Sequence, residues 1–97
     1  MVKHVILWKL KEECNTTEIK ADMKANIEAL QGKIEGLIKI ELQVEGLASS
    51  NADIMLYSEF ENEEALKNYA IHPEHVKVAD TFVRPFTATR LCLDFEV

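Results

Sequence analysis

The chain reads as an α+β protein whose elements follow the order β-α-β-β-α-β. Three observations predict this. Apolar residues recur at period two near the start, through the middle and at the end of the chain, and they recur at helical period over residues 19–34. Between the third and fourth period-two stretches lies a shorter helical pattern interrupted by Pro73.

Residues 3–10 place His4, Ile6, Trp8 and Leu10 on one side and Val5 and Leu7 on the other, which predicts a strand covered on both faces. Asn15-Thr16-Thr17-Glu18 has the form of a capping box with Asn15 as the cap. Ile19, Met23, Ile27, Leu30 and Ile34 then predict an amphipathic helix of about four turns, stopped by Gly32 or Gly36. From Leu37 to Val44 the alternation puts Ile38, Ile40, Leu42 and Val44 on one face, opposite Lys39, Glu41 and Gln43. Gly46, Ser49, Ser50 and Asn51 supply turn chemistry, and Asp53 to Phe60 resumes a strand with Ile54, Leu56 and Phe60 facing one way and Met55 and Tyr57 the other. These two strands form a hairpin.

Asn62 is placed to cap a short helix marked by Ala65, Leu66 and Tyr69. Pro73 cannot continue a hydrogen-bonded helix but can open one, so a second helix is expected from Pro73 to about Phe82. Arg84-Pro85 starts the last strand, in which Leu91, Leu93 and Phe95 are assigned to the core face and Phe86, Ala88 and Cys92 to the other.

This order is the split βαβ, or ferredoxin-like, plan, a four-stranded antiparallel sheet with its helices on one face. Ninety-seven residues, 47% of them hydrophobic, suffice for one core, so residues 1–97 are expected to form a single domain. The uncovered sheet face, assigned Val5, Leu7, Met55, Tyr57, Phe86 and Cys92, would be an apolar patch that demands cover. A second copy packed face to face about a two-fold axis is the economical cover, and a homodimer through this open face is expected.

Composition narrows the function. Eleven basic against seventeen acidic residues give a net charge of −6 with the lysines scattered, so nucleic acid is not an expected partner. No apolar run is long enough to span a bilayer, so no membrane partner is expected. The opening residues alternate like a strand and lack a small-residue cleavage site, and the expected location is cytoplasmic. Cys14 and Cys92 have no CxxC spacing and fall near opposite ends of the first strand, so they are expected as free thiols rather than nucleophiles. Three glycines, none in a phosphate-loop arrangement, argue against a nucleotide cofactor, and no cofactor is expected.

Chemistry concentrates in Tyr69-Ala70-Ile71-His72-Pro73-Glu74-His75. Imidazole is the side chain best poised to take a proton near neutral pH, and a tyrosine hydroxyl within reach can hold a carbonyl oxygen. If His75, Tyr69 and His4 all turn inward, they meet in a cavity walled by Ile6, Trp8, Ile27, Leu56, Leu91 and Leu93, with His72 close by, suited to a small apolar or aromatic molecule. The competing assignment makes His72 and His75 local capping groups and His4 a satisfied histidine at a strand end. Trp8 is expected to pack, and its indole is bulky enough to fill such a cavity. His72, Glu74 and His75 do not match an HExxH spacing and lack a third strong ligand, so no metal is expected.

The opening Val2-Lys3-His4-Val5-Ile6-Leu7-Trp8-Lys9-Leu10-Lys11, taken with Tyr69-Ala70-Ile71-His72-Pro73-Glu74-His75-Val76-Lys77-Val78-Ala79-Asp80, resembles the stress-responsive dimeric A/B barrel (Dabb) family over essentially the whole chain. The resemblance implies a ferredoxin-like protomer that pairs into a dimeric α+β barrel. Some members are similar to polyketide cyclases that close a ring by aldol chemistry without a cofactor. In those, the second histidine of the HPxH segment is the general base and a tyrosine six residues earlier assists; His75 and Tyr69 match these positions, and His4 matches a pocket histidine of the first strand. A further pocket histidine of the cyclases aligns near Ile54, where this chain departs. The resemblance is equally compatible with a non-catalytic stress-linked oligomer, and fold analogy alone adds a cofactor-free oxygenase.

Overall fold

A computed structural model describes residues 1–97. The elements are β1 (Val2–Leu10), α1 (Thr17–Glu28), β2 (Leu37–Gln43), β3 (Ile54–Phe60), α2 (Glu63–Ile71), α3 (Pro73–Val78) and β4 (Thr87–Glu96). A π-helical turn, Ala79–Val83, and a 3-10 turn, Arg84–Phe86, join α3 to β4. The four strands form one antiparallel sheet in the order β2-β3-β1-β4, the ferredoxin-like arrangement, with the helices on one face. No helix is long and apolar enough to cross a membrane.

β1 is central, and its alternation is the one expected: Val2, His4, Ile6, Trp8 and Leu10 are buried, while Leu7 is exposed. Ile54, Leu56 and Phe60 of β3 join the same core with Met23, Ile27, Leu30 and Ile34. The caps differ by one position on α1. Thr16, not Asn15, is the N-cap, its hydroxyl accepting from the Ile19 N–H at 3.2 Å. Asn62 caps α2 as expected, its Oδ1 accepting from the Ala65 N–H at 2.8 Å.

α1 stops at Glu28, and Leu30 and Ile34 reach the core from the turns that follow. Gly32 and Gly36 both stand at φ 85°, the left-handed region that favours glycine and that ends a helix. The side chains at the end of α1 then occupy the free edge of β2. Gln31 donates to the Ile38 carbonyl at 2.8 Å and accepts from the Ile40 N–H at 3.1 Å, and the Glu28 carboxylate accepts from the Leu42 N–H at 3.0 Å. An edge strand otherwise offers these groups to another chain.

Three face assignments are corrected. A register shift between Leu37 and Lys39 buries Leu37 and turns Ile38 outward, with Ile40 and Leu42 inside. The larger correction concerns β4. Leu91 pairs with Leu7, Leu93 with Val5, and Phe95 with Lys3, so the apolar row of β4 lies on the open face. Leu91 and Leu93 are 66% and 65% exposed. Arg90, Cys92 and Asp94 pair with Trp8, Ile6 and His4 and face the helices. Directly paired residues share a sheet face, so once β1 is placed the pairing dictates β4, whatever its own alternation suggests. Phe86 packs against the core instead of joining the open face.

The two glycines separate backbone strain from crowding. A Cβ on Gly32 would meet nothing within 4 Å, whereas one on Gly36 would stand 2.5 Å from Ala65 Cβ. Gly32→Ala should cost about 1–2 kcal/mol from the left-handed backbone alone. Gly36→Ala should cost roughly 1–3 kcal/mol more, because α2 must shift to admit the methyl. Urea unfolding of both variants tests this; equal losses would mean that α2 does not constrain Gly36.

Candidate functional site

A cavity of about 150 Å³ lies between the helix face of the sheet and the helical layer. Ile6, Trp8 and Leu56 from the sheet, with Ile27, Leu66 and Val83 from the helical side, supply its apolar lining. His4, Tyr69 and His75 all reach it. Trp8 is buried and forms part of the wall, and space remains beside it.

The Pro73 break brings Tyr69 and His75 together. In an unbroken helix, six positions amount to about one and two-thirds turns, which would set the two side chains well apart around the axis. His72 instead leaves α2 in extended conformation, φ −65° and ψ 132°, and Pro73 restarts the chain as α3. The rings of Tyr69 and His75 then lie 4.1 Å apart, centroid to centroid, with 34° between their planes. Phe60 holds Tyr69 from the other side at 4.9 Å, edge to face, a favourable aromatic geometry.

Each polar group has a defined state. His75 Nδ1 lies 3.2 Å from the Ala70 carbonyl, which can only accept, so Nδ1 carries the hydrogen and Nε2 keeps the lone pair. Burial lowers the His75 pKa below the ordinary histidine value; the Ala70 carbonyl opposes the shift, and Arg84, His4 and Arg90 add to it. Burial pushes the Tyr69 pKa well up, against a small pull from Arg90, so its hydroxyl remains a donor. No hydrogen bond within the protein engages that hydroxyl, and no enclosed polar side-chain atom lacks a partner. Tyr69 lines the cavity with its hydroxyl unpaired within the protein. His4 is buried, with Nδ1 against the Asp94 carboxylate and its ring 6.2 Å from that of Tyr69.

Of the residues expected at the site, His75, Tyr69, His4, Ile6, Trp8, Ile27 and Leu56 meet here. Three do not. Leu91 and Leu93 point to the opposite sheet face, for the pairing reason given above. His72 caps α3, its Nδ1 accepting from the Glu74 N–H at 3.1 Å, and borders a separate groove near Glu35 and Glu61. Sequence reasoning missed Arg84, Thr87 and Arg90, which also line the cavity. The signal for Arg90 was its parity with Cys92, on the face of β4 that had been assigned outward.

His72 and His75 bond separate backbone groups and do not converge. The donors that do converge are His4 Nδ1, Cys92 Sγ and an Asp94 oxygen, all within 4.8 Å of one another and of types that zinc accepts. Cys92 Sγ stands 3.8 Å from His4 Nδ1 and 3.5 Å from Asp94 Oδ1. Burial and the Asp94 charge push its thiol pKa up, against a partial pull from Arg90, and Cys14 is likewise a free thiol. Thiol and carboxylate both approach the same nitrogen of His4, so the trio is not a relay in which histidine bridges a nucleophile to an acid.

Comparison with known proteins agrees with this architecture. A dimeric ferredoxin-like protein of unknown function from Bacteroides fragilis superposes with a TM-score of 0.89 at 36% identity, covering 99% of this chain and 95% of that one. A hydroxynitrile lyase from Passiflora edulis shares the fold at 14% identity and a TM-score of 0.81, covering 97% and 90%. A stress-response A/B barrel domain-containing protein of Arabidopsis thaliana is 29% identical over 96 residues, covering 98% of this chain. This chain spans only about a third of that relative's length, 36%. The profile of the Stress responsive A/B Barrel Domain (Dabb) matches residues 2–97, and the chain belongs to that family.

Proposed function

We propose that the protein binds a ring-sized carbonyl compound in the sheet–helix cavity and that His75 catalyses cofactor-free proton transfer on it, within a homodimer formed through the open sheet face. The observation that carries this reading is the state of His75: it lines a cavity with one nitrogen tied to a carbonyl and the other free, and burial favours its neutral form. A neutral imidazole with a directed lone pair is a competent base at pH 7. Nε2 takes the proton next to the carbonyl, and the electron pair moves to the carbonyl oxygen. The Tyr69 hydroxyl donates to that oxygen as it gains charge. An aldol ring closure of the cyclase type begins with this same step. A purely structural dimer has no use for open space beside a histidine.

The size of the cavity limits the substrate. An apolar cavity of about 150 Å³ accommodates benzene, so this one suits a single ring better than an extended chain.

Exchange of α-protons into heavy water, followed by NMR over a panel of single-ring ketones and aldehydes, tests the base. His75→Ala should slow exchange by about 10²–10⁴-fold. Tyr69→Phe should slow it by a smaller factor. Because neutral imidazole is the active form, the rate should rise as pH climbs through the lowered His75 pKa, below the ordinary 6.5, and be level above it. Equal rates for wild type and His75→Ala would remove His75 from the chemistry.

The dimer rests on a second observation. Leu7, Leu91, Leu93 and Phe95 are 39%, 66%, 65% and 40% exposed on one continuous sheet face, with Val5, Met55 and Tyr57 among them. An apolar face of this kind marks an interaction surface, and isologous pairing covers it with itself. Sedimentation should show a dimer whose dissociation is driven by Leu91→Glu together with Leu93→Glu. A double variant that remains dimeric would place the interface elsewhere.

A further inference from the structure

We infer that the molecule bound in the cavity is an anion, and that Arg90, with Arg84 on the same lining, forms a subsite for a carboxylate carried by the ring. The inference rests on the proposed binding role of this cavity and adds the charge of what enters it.

The argument starts from a contrast of charge. The chain has 17 acidic residues against 11 basic ones, yet the cavity lining includes two arginines and no carboxylate. The lining thus has the opposite charge balance to the chain as a whole. Arg90 forms no ion pair with any acidic side chain, unlike Lys3, Lys24, Lys39 and Arg84. Its nearest acidic neighbour on the same strand face, Asp94, is engaged by His4.

Position supports the same reading. Arg90 pairs with Trp8 across β1 and β4 and lines both the cavity and an adjoining groove, which carries Glu63, Asp94 and Glu96, so it stands where the carboxylate-free cavity meets an acidic groove. Arg90 lines the same cavity as Tyr69 and His75, the two groups assigned to the chemistry. Arg84 lines the same cavity and gives one nitrogen to Asp80. A guanidinium is a planar fork that matches a carboxylate through two parallel hydrogen bonds. Thr87 adds a hydroxyl to the same lining. With the apolar walls taking the ring, the arginines would fix its orientation by the carboxylate and leave the carbonyl to Tyr69 and His75. The same cations would also favour the enolate over the neutral ketone.

Binding can be read separately from catalysis. Benzoate and its uncharged isostere benzamide are titrated against the 97-residue chain by NMR, with wild type, Arg90→Gln, Arg90→Lys and the exposed-surface control Lys77→Gln compared. Wild type should prefer benzoate by about tenfold or more, since an ionic hydrogen-bonded pair replaces a neutral one. Arg90→Gln should abolish the preference by weakening benzoate far more than benzamide, Arg90→Lys should restore part of it, and Lys77→Gln should have no effect. Equal affinities in wild type, a preference that survives Arg90→Gln together with Arg84→Gln, or no binding of either probe would each overturn the subsite. Exchange that survives His75→Ala while the benzoate preference still depends on Arg90 would remove the base and leave the subsite in place.

Discussion

The structure depends on the alternation of β1, which pairs with β3 on one side and β4 on the other. Its even-numbered residues build the core beneath the helices, and three of them, His4, Ile6 and Trp8, also line the cavity. Its odd-numbered residues Val5 and Leu7 begin the open face. A strand's side chains point alternately to the two faces, so one nine-residue segment serves two surfaces at once. A slip of one residue would exchange them, exposing Ile6 and Trp8 and burying Lys3 and Lys9. The two neighbouring strands hold β1 against that slip, and Ser58 adds a tie by donating to the His4 carbonyl at 3.2 Å.

The helical layer is built for a different purpose on each side. Over β2, the end of α1 closes the sheet edge with Gln31 and Glu28. Burial pushes the Glu28 carboxyl up, but the Leu42 N–H and Lys24 outweigh it, and the pKa falls below its ordinary value. That contact therefore stabilises the fold above the ordinary glutamate range and is lost as pH falls through the lowered pKa. Over β4 the layer is looser. The inner face of β4 carries Arg90, Cys92 and Asp94, which stay exposed, and here the cavity meets the outer groove. One edge of the sheet is closed by side chains of the helical layer, and the other carries a groove.

The site is held by backbone devices more than by side-chain networks. The His72-Pro73 break ends α2, caps α3 and sets His75 over Tyr69. Phe60 fixes Tyr69, and the Ala70 carbonyl fixes His75. Rings restrained in this way lose little on binding a ligand, which is how preorganisation contributes to both affinity and catalysis.

Much of this could be read from the chain alone. The element order, the two faces of β1 and β3, the Asn62 cap and the break at Pro73 follow from local patterns, because alternation, capping and proline chemistry act within a few residues. His75 and Tyr69 stood out through the distinctive HPxH segment, and His4 joined them through the family resemblance. What the tertiary structure decided was relative placement. The row Leu91, Leu93 and Phe95 looked like core because apolar alternation shows that a strand has two faces without showing which face meets which layer. Only pairing with Leu7 and Val5 settles that. The same fact moved Arg90 from an outer face to the cavity and Cys92 from the open face to the neighbourhood of His4. Periodicity is a property of one segment, whereas burial is a property of two segments in register, and the cationic end of this cavity exists only in the second.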